Sequence, residues 1–366
     1  MWLIEKLTIS LRLFLTEVRP ESCSYTLPTN GGSCLTPMDH SPAQQILDTL
    51  PPMGCGTWAW GNRLLWDYTE SMDDDLNAVF NHCVSHGVTL FDTGDSYGTG
   101  KLNGQSEKLL GKFKASYDGL NKEKICLATK LAPYPWRLTR QSMVAAGSAS
   151  AKRLGKLNLV QMHWSTANYF PPQEGPLLDG LASLCHQGIA DGVGLSNYGP
   201  KRLRWAHQRL SKQGIKIHTL QVQYSLLSTY PVTELGLKDV CDELGIQLIA
   251  YSPLALGLLT GKYTEKSDLP KGLRKFALGS ILPHVQPLLS CLSVLATEKN
   301  KTMAQTAINW CICKGTLPIP GAKNLSQAQQ NTGALGWQLT DAEVTTLDEA
   351  SAACSKQMVQ NIFQSR

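Results

Sequence analysis

In the stretch FDTGDSYG, residues 91–98, an apolar run ends and Asp92, Asp95 and Tyr97 follow within a few positions. Lys130 closes a second apolar run, KICLATK, and His163 with Trp164 closes a third, LNLVQMHW. Singly, each has an ordinary structural reading: a satisfied histidine, a solvated lysine, a core tyrosine whose hydroxyl meets a carbonyl. Together, at the ends of three successive apolar runs, they are expensive to leave unpaired. A phenol with an ordinary pKa of ~10 is a weak acid at neutral pH, and a neighbouring ammonium lowers that value. Lys130 is the expected ammonium, with Asp92 as its ion-pair partner. Tyr97 then donates a proton to a developing alkoxide, and His163 adds a second hydrogen bond to the same oxygen. General acid catalysis of this kind is worth ~10²–10⁴ in rate, and the set fits carbonyl reduction beside a hydride donor. Asp95 is expected to order the turn.

The elements that must bring these groups together alternate along the chain. In DDDLNAVFNHCVSHG, Leu76, Val79, Phe80, Cys83 and Val84 fall on one helical face, acids open the first turn and Gly87 closes it. The buried strand VTLFDT follows directly. Further strands are read in KICLATK, LNLVQMHW, GVGLSN, TLQVQYSLL, IQLIAYSPL and GTLPIPGAK, with MGCGTWAWG as the first, which makes eight. Helical patterns stand between them: near 105 to 113, ending near Arg153 and near Gly188, in TELGLKDVCDELG, and through Trp310. Eight β-then-helix units in roughly 280 residues predict a (β/α)₈ TIM barrel, an α/β fold that places chemistry at the C-terminal ends of its strands. A doubly wound sheet competes, but no G-x-G-x-x-G follows the first strand: GTGKLNG has the wrong spacing, and GLLTGK is one residue short of a P-loop.

The totals suit this reading. The chain has 366 residues, 42% hydrophobic and 17% charged, with a net charge of +5 spread without a basic stripe, so no nucleic-acid partner is expected. No apolar run reaches the length of a membrane span. Eleven cysteines without a C-x-x-C pair read as reduced packing residues. His82 and His86 have i, i+4 spacing, but Cys83 belongs to the core face and no third ligand stands nearby, so no metal is expected. Residues 1–50 read as an extension, either targeting or disordered, residues 51–352 as the barrel and 353–366 as a tail. Glu5, Glu17 and Glu21 count against an organelle transit peptide.

FDTGDSYG, ATK, QMHW, GLSNYGP, QVQYSLL, YSPLALGLLTGKY and PIPGAKN together resemble the aldo-keto reductases, from about Gly54 to Trp337. Within that family GTWAWGN, SYGTGKLNGQSEKLLGKF, YPWRLT, MHWST, NWCICKGT and MVQNIFQSR are most similar to the plant pyridoxal reductases. The resemblance implies an NADPH-dependent enzyme that reduces a small-molecule aldehyde, pyridoxal to pyridoxine, with Asp92, Tyr97, Lys130 and His163 as the catalytic tetrad. It implies that Ser196, Asn197 and Gln223 hold the nicotinamide carboxamide and that Tyr251 stacks on the ring. Ser252, Pro253, Leu254 and Gly257 would line the pyrophosphate. Gly321, Lys323, Gln327, Gln330 and Asn331 would surround the adenosine end, with Lys323 placed for a 2′-phosphate and hence NADP over NAD. Trp60 and Trp164 are the expected aromatic walls for the substrate, with Trp58, Tyr134 and Trp136 as further candidates. The family also implies a chloroplast address, with the cytoplasm as the alternative. A non-catalytic NADP-sensing subunit on the same barrel is the alternative function, and a general aldehyde or ketone reductase the broader one. Two departures stand out: Gly94 where the family has Ala, and a lead into strand one, PAQQILDTLPPMGCGTW, that does not read as the family's plugging hairpin. The barrel floor is therefore expected to lack its plug.

Overall fold

A computed structural model describes residues 42–365, apart from 101–102, 264–268, 270–274 and 276–277. Most of the segment read as an N-terminal extension lies outside the described residues. Eight parallel strands run in the order β1 to β8: Cys55–Gly56, Leu90–Gly94, Cys126–Leu131, Leu157–Met162, Ala190–Ser196, Ile217–Gln223, Gln247–Tyr251 and Leu317–Ile319. Each of the eight expected runs overlaps its strand; β2 and β3 run one residue past the expected end, and β5 and β6 begin two residues before the expected start. Helices Asp73–Ser85, Gln105–Ser116, Arg140–Leu154, Pro171–His186, Pro200–Ser211, Leu237–Glu243 and Met303–Cys313 connect them. Leu325–Thr332 follows β8, and Gln286–Glu298 and Asp341–Ala352 are additional to the repeating pattern.

Alternation along each strand divides the core in two. Outward residues such as Phe91, Leu127, Val160 and Val193 join the helices in the larger cluster. The helix Asp73–Ser85 buries Leu76, Val79, Phe80, Cys83 and Val84, the face its spacing predicts, and Phe80 stacks on Phe91 of β2 at 4.6 Å. Inward residues Leu90, Cys126, Ala128, Leu159, Ile249 and Leu317 form a separate cluster inside the barrel. One layer further toward the C-terminal ends, the inward side chains turn polar: Asp92, Gln161 and Gln221 are buried there.

The floor is plugged, contrary to expectation. The helix Pro42–Asp48 carries Ile46 and Leu47 and is followed by Leu50, and all three pack against the inner cluster. Leu47 is 4% exposed, a burial contributing on the order of 2 kcal/mol. A hairpin is not the only element that can cover an apolar barrel end; a short amphipathic helix does so here.

The barrel closes between β8 and β1. Gly54 N donates to Pro318 O at 3.0 Å, Gly56 N donates to Pro320 O at 3.2 Å, and Gly56 bridges Gly321. A Cβ on Gly54 would lie 2.9 Å from Leu90 O, and one on Gly56 2.9 Å from Ile319 O. The backbones of β2 and β8 thus approach β1 too closely from either side for a side chain, which explains glycine at both positions.

Candidate active site

The β2 and β3 strands deliver the ionic part of the site. Asp92 and Lys130 are 2% and 1% exposed, and Lys130 Nζ donates to Asp92 Oδ2 in a short ion pair. The other carboxylate oxygen, Oδ1, accepts from Gln161 Nε2 at 2.9 Å and Gln221 Nε2 at 2.8 Å. Tyr97, in the loop after β2, is partly exposed, with Lys130 Nζ 4.9 Å from its ring centroid. His163, just beyond β4, meets the Tyr97 ring edge-on at 5.8 Å, and its Nδ1 lies 3.5 Å from Ser96 Oγ. The four expected residues therefore meet at one end of the barrel.

Their electrostatics differ from the expectation in one respect. Burial, with Asp92 and then Asp95 adding to it, pushes the Tyr97 phenol well above its ordinary pKa rather than below it. The physical reason is twofold: the phenolate loses solvent at the mouth, and Asp92 offsets much of the ammonium's field. Burial also lowers Lys130, against the pull of Asp92, and takes His163 well below its ordinary value, with Lys130 as the second cause. At neutral pH the site thus presents a protonated phenol and a neutral imidazole. Asp95 does more than order its own turn. Its Oδ2 pairs with Arg137 at 2.8 Å and its Oδ1 accepts from Ala132 N at 3.2 Å, which ties the loop after β2 to the loop after β3.

Further round the barrel, Ser196 ends β5, Gln223 ends β6 and Tyr251 ends β7. Asn197 links them. It sits at φ 60°, a left-handed conformation that asparagine tolerates, and its Nδ2 donates to His163 O and to Ser196 Oγ, both at 3.1 Å. Its Oδ1 accepts from Tyr251 Oη at 2.9 Å. The loop after β7 holds Ser252, Ala255, Leu256 and Gly257 at φ 53°, 47°, 57° and 99°. Left-handed non-glycine residues cost ~1–2 kcal/mol each. Such runs gather backbone N–H groups into concavities that suit a phosphate, so this loop fits the pyrophosphate of a dinucleotide. Pro253 and Leu254 lie in the same loop. Beyond β8, Lys323 N donates to Gln327 Oε1 at 2.8 Å, Asn331 Nδ2 donates to Gly321 O at 3.3 Å, and Lys323 Nζ reaches Trp66 O at 3.4 Å. Gln330 lies exposed on the helix Leu325–Thr332.

The aromatic assignments divide. Trp164 is partly exposed, donates from Nε1 to Tyr169 Oη at 2.5 Å and lies 4.9 Å from the His163 ring. Trp60 is fully buried, packs edge-on against Phe113 at 6.0 Å and donates from Nε1 to Ala322 O at 3.0 Å. With no surface open to a ligand, Trp60 is a packing residue and the expectation that it walls the substrate pocket is corrected. Trp58, 40% exposed and edge-on to Trp66, and the stacked pair Tyr134 and Trp136 are the accessible rings on that side.

Three parts of the site were missed. Gln161 and Gln221 could have been found, since each stands two residues before an expected site residue, His163 and Gln223, and so shares its strand face. The C-terminal tail could not. Val359 O accepts from Gln223 Nε2 at 3.2 Å, Asn361 Nδ2 donates to Tyr251 Oη at 2.8 Å, and Phe363 stacks on Trp164 at 4.6 Å. Ser365 is buried, its N donating to Asn197 O at 3.1 Å and its Oγ accepting from Gly199 N at 2.9 Å. Among the described residues no cluster of three or more His, Cys, Asp or Glu could hold a metal ion, and no helix is long and apolar enough to cross a membrane.

An eight-stranded parallel barrel with an Asp–Lys pair, a tyrosine and a histidine at its mouth defines a class, and the chain belongs to the aldo/keto reductase family, whose profile matches residues 52–352. It is an oxidoreductase of that class. Over 322 residues it is 52% identical to the chloroplastic pyridoxal reductase of Arabidopsis thaliana, covering 87% of this chain and 88% of that one. It is 28% identical over 320 residues to an aldo-keto reductase of Schizosaccharomyces pombe named for NADP(+), covering 83% and 89%. The solved glycerol dehydrogenase of Gluconobacter oxydans shares the fold with a TM-score of 0.70 at 23% identity, over 86% of this chain and 96% of that one.

Proposed function

We propose that the protein reduces the aldehyde of pyridoxal to the alcohol pyridoxine, with NADPH as hydride donor. The observation that carries this reading is the buried Lys130–Asp92 pair beside the Tyr97 ring, with the neutral His163 facing the same ring. NADPH, when bound, supplies the hydride to the carbonyl carbon. The protein's task is the other half of the addition. Tyr97, kept protonated by its surroundings, gives its proton to the carbonyl oxygen, and His163 donates a hydrogen bond to that oxygen as its charge grows. Lys130 then stabilises the phenolate that Tyr97 leaves behind, until solvent returns the proton.

The cofactor assignment rests on the chain's own groups and on its relatives. Ser196, Asn197 and Gln223 hold the carboxamide, Tyr251 flanks the ring, and Ser252, Pro253, Leu254 and Gly257 line the pyrophosphate. Gly321, Lys323, Gln327, Gln330 and Asn331 surround the adenosine end. Lys323, a compact cation at the start of a helix, favours the 2′-phosphate of NADP, in line with the name of the fission-yeast relative. A flat heteroaromatic aldehyde suits the rings of Trp164, Trp58 and Tyr134, and the Arabidopsis relative is named for pyridoxal. That relative is also named chloroplastic, and we assign this protein to the same compartment, with the segment before Pro42 as the extension that carries the address; the boundary expected at residue 50 moves back to residue 41, because the floor helix Pro42–Asp48 and Leu50 pack into the barrel.

Incubation with NADPH and pyridoxal should oxidise the cofactor and form pyridoxine in equal amounts. Binding of NADPH without turnover of pyridoxal or any of a panel of aldehydes would sink the reading and favour a cofactor-sensing role.

A further inference from the structure

The catalytic reading above explains Asp92 only as a counter-ion, yet the carboxylate is more elaborately held than ion pairing requires. Gln161 and Gln221 are 0% and 2% exposed, come from β4 and β6, and converge on the same oxygen, Oδ1, from opposite sides of β5. Because an ionised carboxylate only accepts, each amide must turn its NH₂ toward Asp92. We propose that Gln161 and Gln221 are positioning residues for the reduction: their two donors on Asp92 Oδ1 turn Oδ2 to Lys130 and hold the Asp92–Lys130 pair in place beside Tyr97. The inference rests on the tetrad reading of the site.

Two physical effects support it. Two hydrogen bonds to one oxygen fix the plane of a carboxylate whose other oxygen is held only by the ammonium of a long, rotatable side chain, and charge-assisted bonds of this kind are strong where water is excluded. Without them the carboxylate is free to turn away from Lys130, and Tyr97 loses the fixed ammonium that stabilises its phenolate. The strand between the two glutamines is built to admit this arrangement. Gly194 of β5 pairs with Gln161 on one side and Thr219 on the other, and a Cβ there would lie 3.0 Å from Gln161 Cγ and 2.3 Å from Thr219 Oγ1. A side chain at 194 would crowd Gln161. The other titratable groups around the pair are Cys55 of β1, Tyr97 and Asp95 from the loop after β2, His163 beyond β4 and Tyr251 at the end of β7; the donors on Oδ1 are the two glutamine amides.

The test compares pH–rate profiles of full-length variants with pyridoxal and NADPH. Gln161→Met, which keeps the volume and removes the donor, should lower kcat about 10-fold or more and leave KM for NADPH within about twofold, since a hydrogen bond to a charged group is lost. Gln161→Glu should show a signature that loosened packing cannot produce. While protonated, the new carboxyl donates an O–H to Asp92, so activity persists at low pH; once it ionises, two carboxylates repel, and the alkaline limb moves to lower pH than in the wild type. Gln221→Met provides the same loss of donor from the other strand. NADPH binding by tryptophan quenching and thermal midpoints confirm that each variant is folded. A Gln161→Glu profile that superimposes on the wild type, or Met variants that alter only KM, would overturn the inference. Tyr97→Phe measured in parallel separates the two failures: if it is inactive while the glutamine variants behave as wild type, the tetrad reading survives and only the positioning role falls.

Discussion

Replacing Tyr97 with Phe should separate catalysis from stability more cleanly than any other change in the site. Tyr97 Oη makes no hydrogen bond to another described residue, so its removal orphans no buried partner, and the ring that faces His163 and Lys130 is retained. Stability should therefore stay within about 0.5 kcal/mol of the wild type. The rate should not. Loss of a positioned general acid removes ~10²–10⁴ in rate, equivalent to about 3–5 kcal/mol in the barrier. The contrast with Lys130→Met is instructive, because Lys130 is paired at 1% exposure and its loss leaves a buried carboxylate facing only amides. Breaking a buried pair in this way costs about 3–5 kcal/mol, so activity and stability fall together. Loss of NADPH absorbance with pyridoxal gives the rate, fluorescence titration the NADPH affinity, and urea denaturation the stability. Turnover of Tyr97→Phe within a few fold of the wild type would refute the assignment of the proton donor and, with it, the role given to Lys130.

Trp60→Ala should cost about 3–5 kcal/mol in stability, whereas Trp164→Ala should mainly raise KM for pyridoxal, by roughly 2- to 10-fold for one lost stacking contact; denaturation and steady-state kinetics tell the two apart. Lys323→Ala should weaken NADP about 10-fold or more and leave NAD nearly unchanged, and equal effects on both cofactors in a titration would remove the argument for NADP. Burial, with Lys216 as the second cause, lowers His218 from an ordinary 6.5 to about 4. The unfolded chain takes up that proton below about 6.5 and the folded protein refuses it until about 4, so stability falls as pH drops through this window. The loss from this residue is on the order of 3 kcal/mol at the acid end. A His218→Asn variant should show a flatter decline in urea midpoint between neutral and acid pH than the wild type.

Much of the fold could be read from period alone. The face Leu76, Val79, Phe80, Cys83 and Val84 is buried as its spacing requires, and every strand overlaps its expected apolar run to within two residues at either end, because strands buried on both faces leave short, uniform hydrophobic signatures. The meeting of Asp92, Tyr97, Lys130 and His163 followed from the fold, since strand ends converge in a barrel. Failures arose where the outcome depended on direction or on long separations. Trp60 follows the first strand as a pocket residue would, but proximity to a strand end does not say which way a ring turns, and this one turns inward to Ala322 O. The sign of the Tyr97 shift depends on how far Asp92 offsets Lys130, a three-dimensional balance. Asn361 and Phe363 stand 110 and about 200 residues from Tyr251 and Trp164, and no local pattern joins them. The floor helix was legible in principle: Ile46, Leu47 and Leu50 have helical spacing, and the expectation of a hairpin concealed it.

The seam between β8 and β1 has a consequence for how the barrel breathes. Pro318 and Pro320 have no N–H, so at these positions β8 offers the seam carbonyls alone, and β1 is two residues long. Amide exchange should be faster here than between β3 and β4. Side chains add fasteners across the gap, among them Trp60 Nε1 on Ala322 O and Lys323 Nζ on Trp66 O, and both involve the loop assigned to the adenosine end. A dinucleotide that orders this loop would hold the barrel shut at its least-bonded joint. Protection on cofactor binding should therefore concentrate near residues 54–60 and 317–323, leaving β3 and β4, which carry Lys130 and lead to His163, as slow to exchange as before.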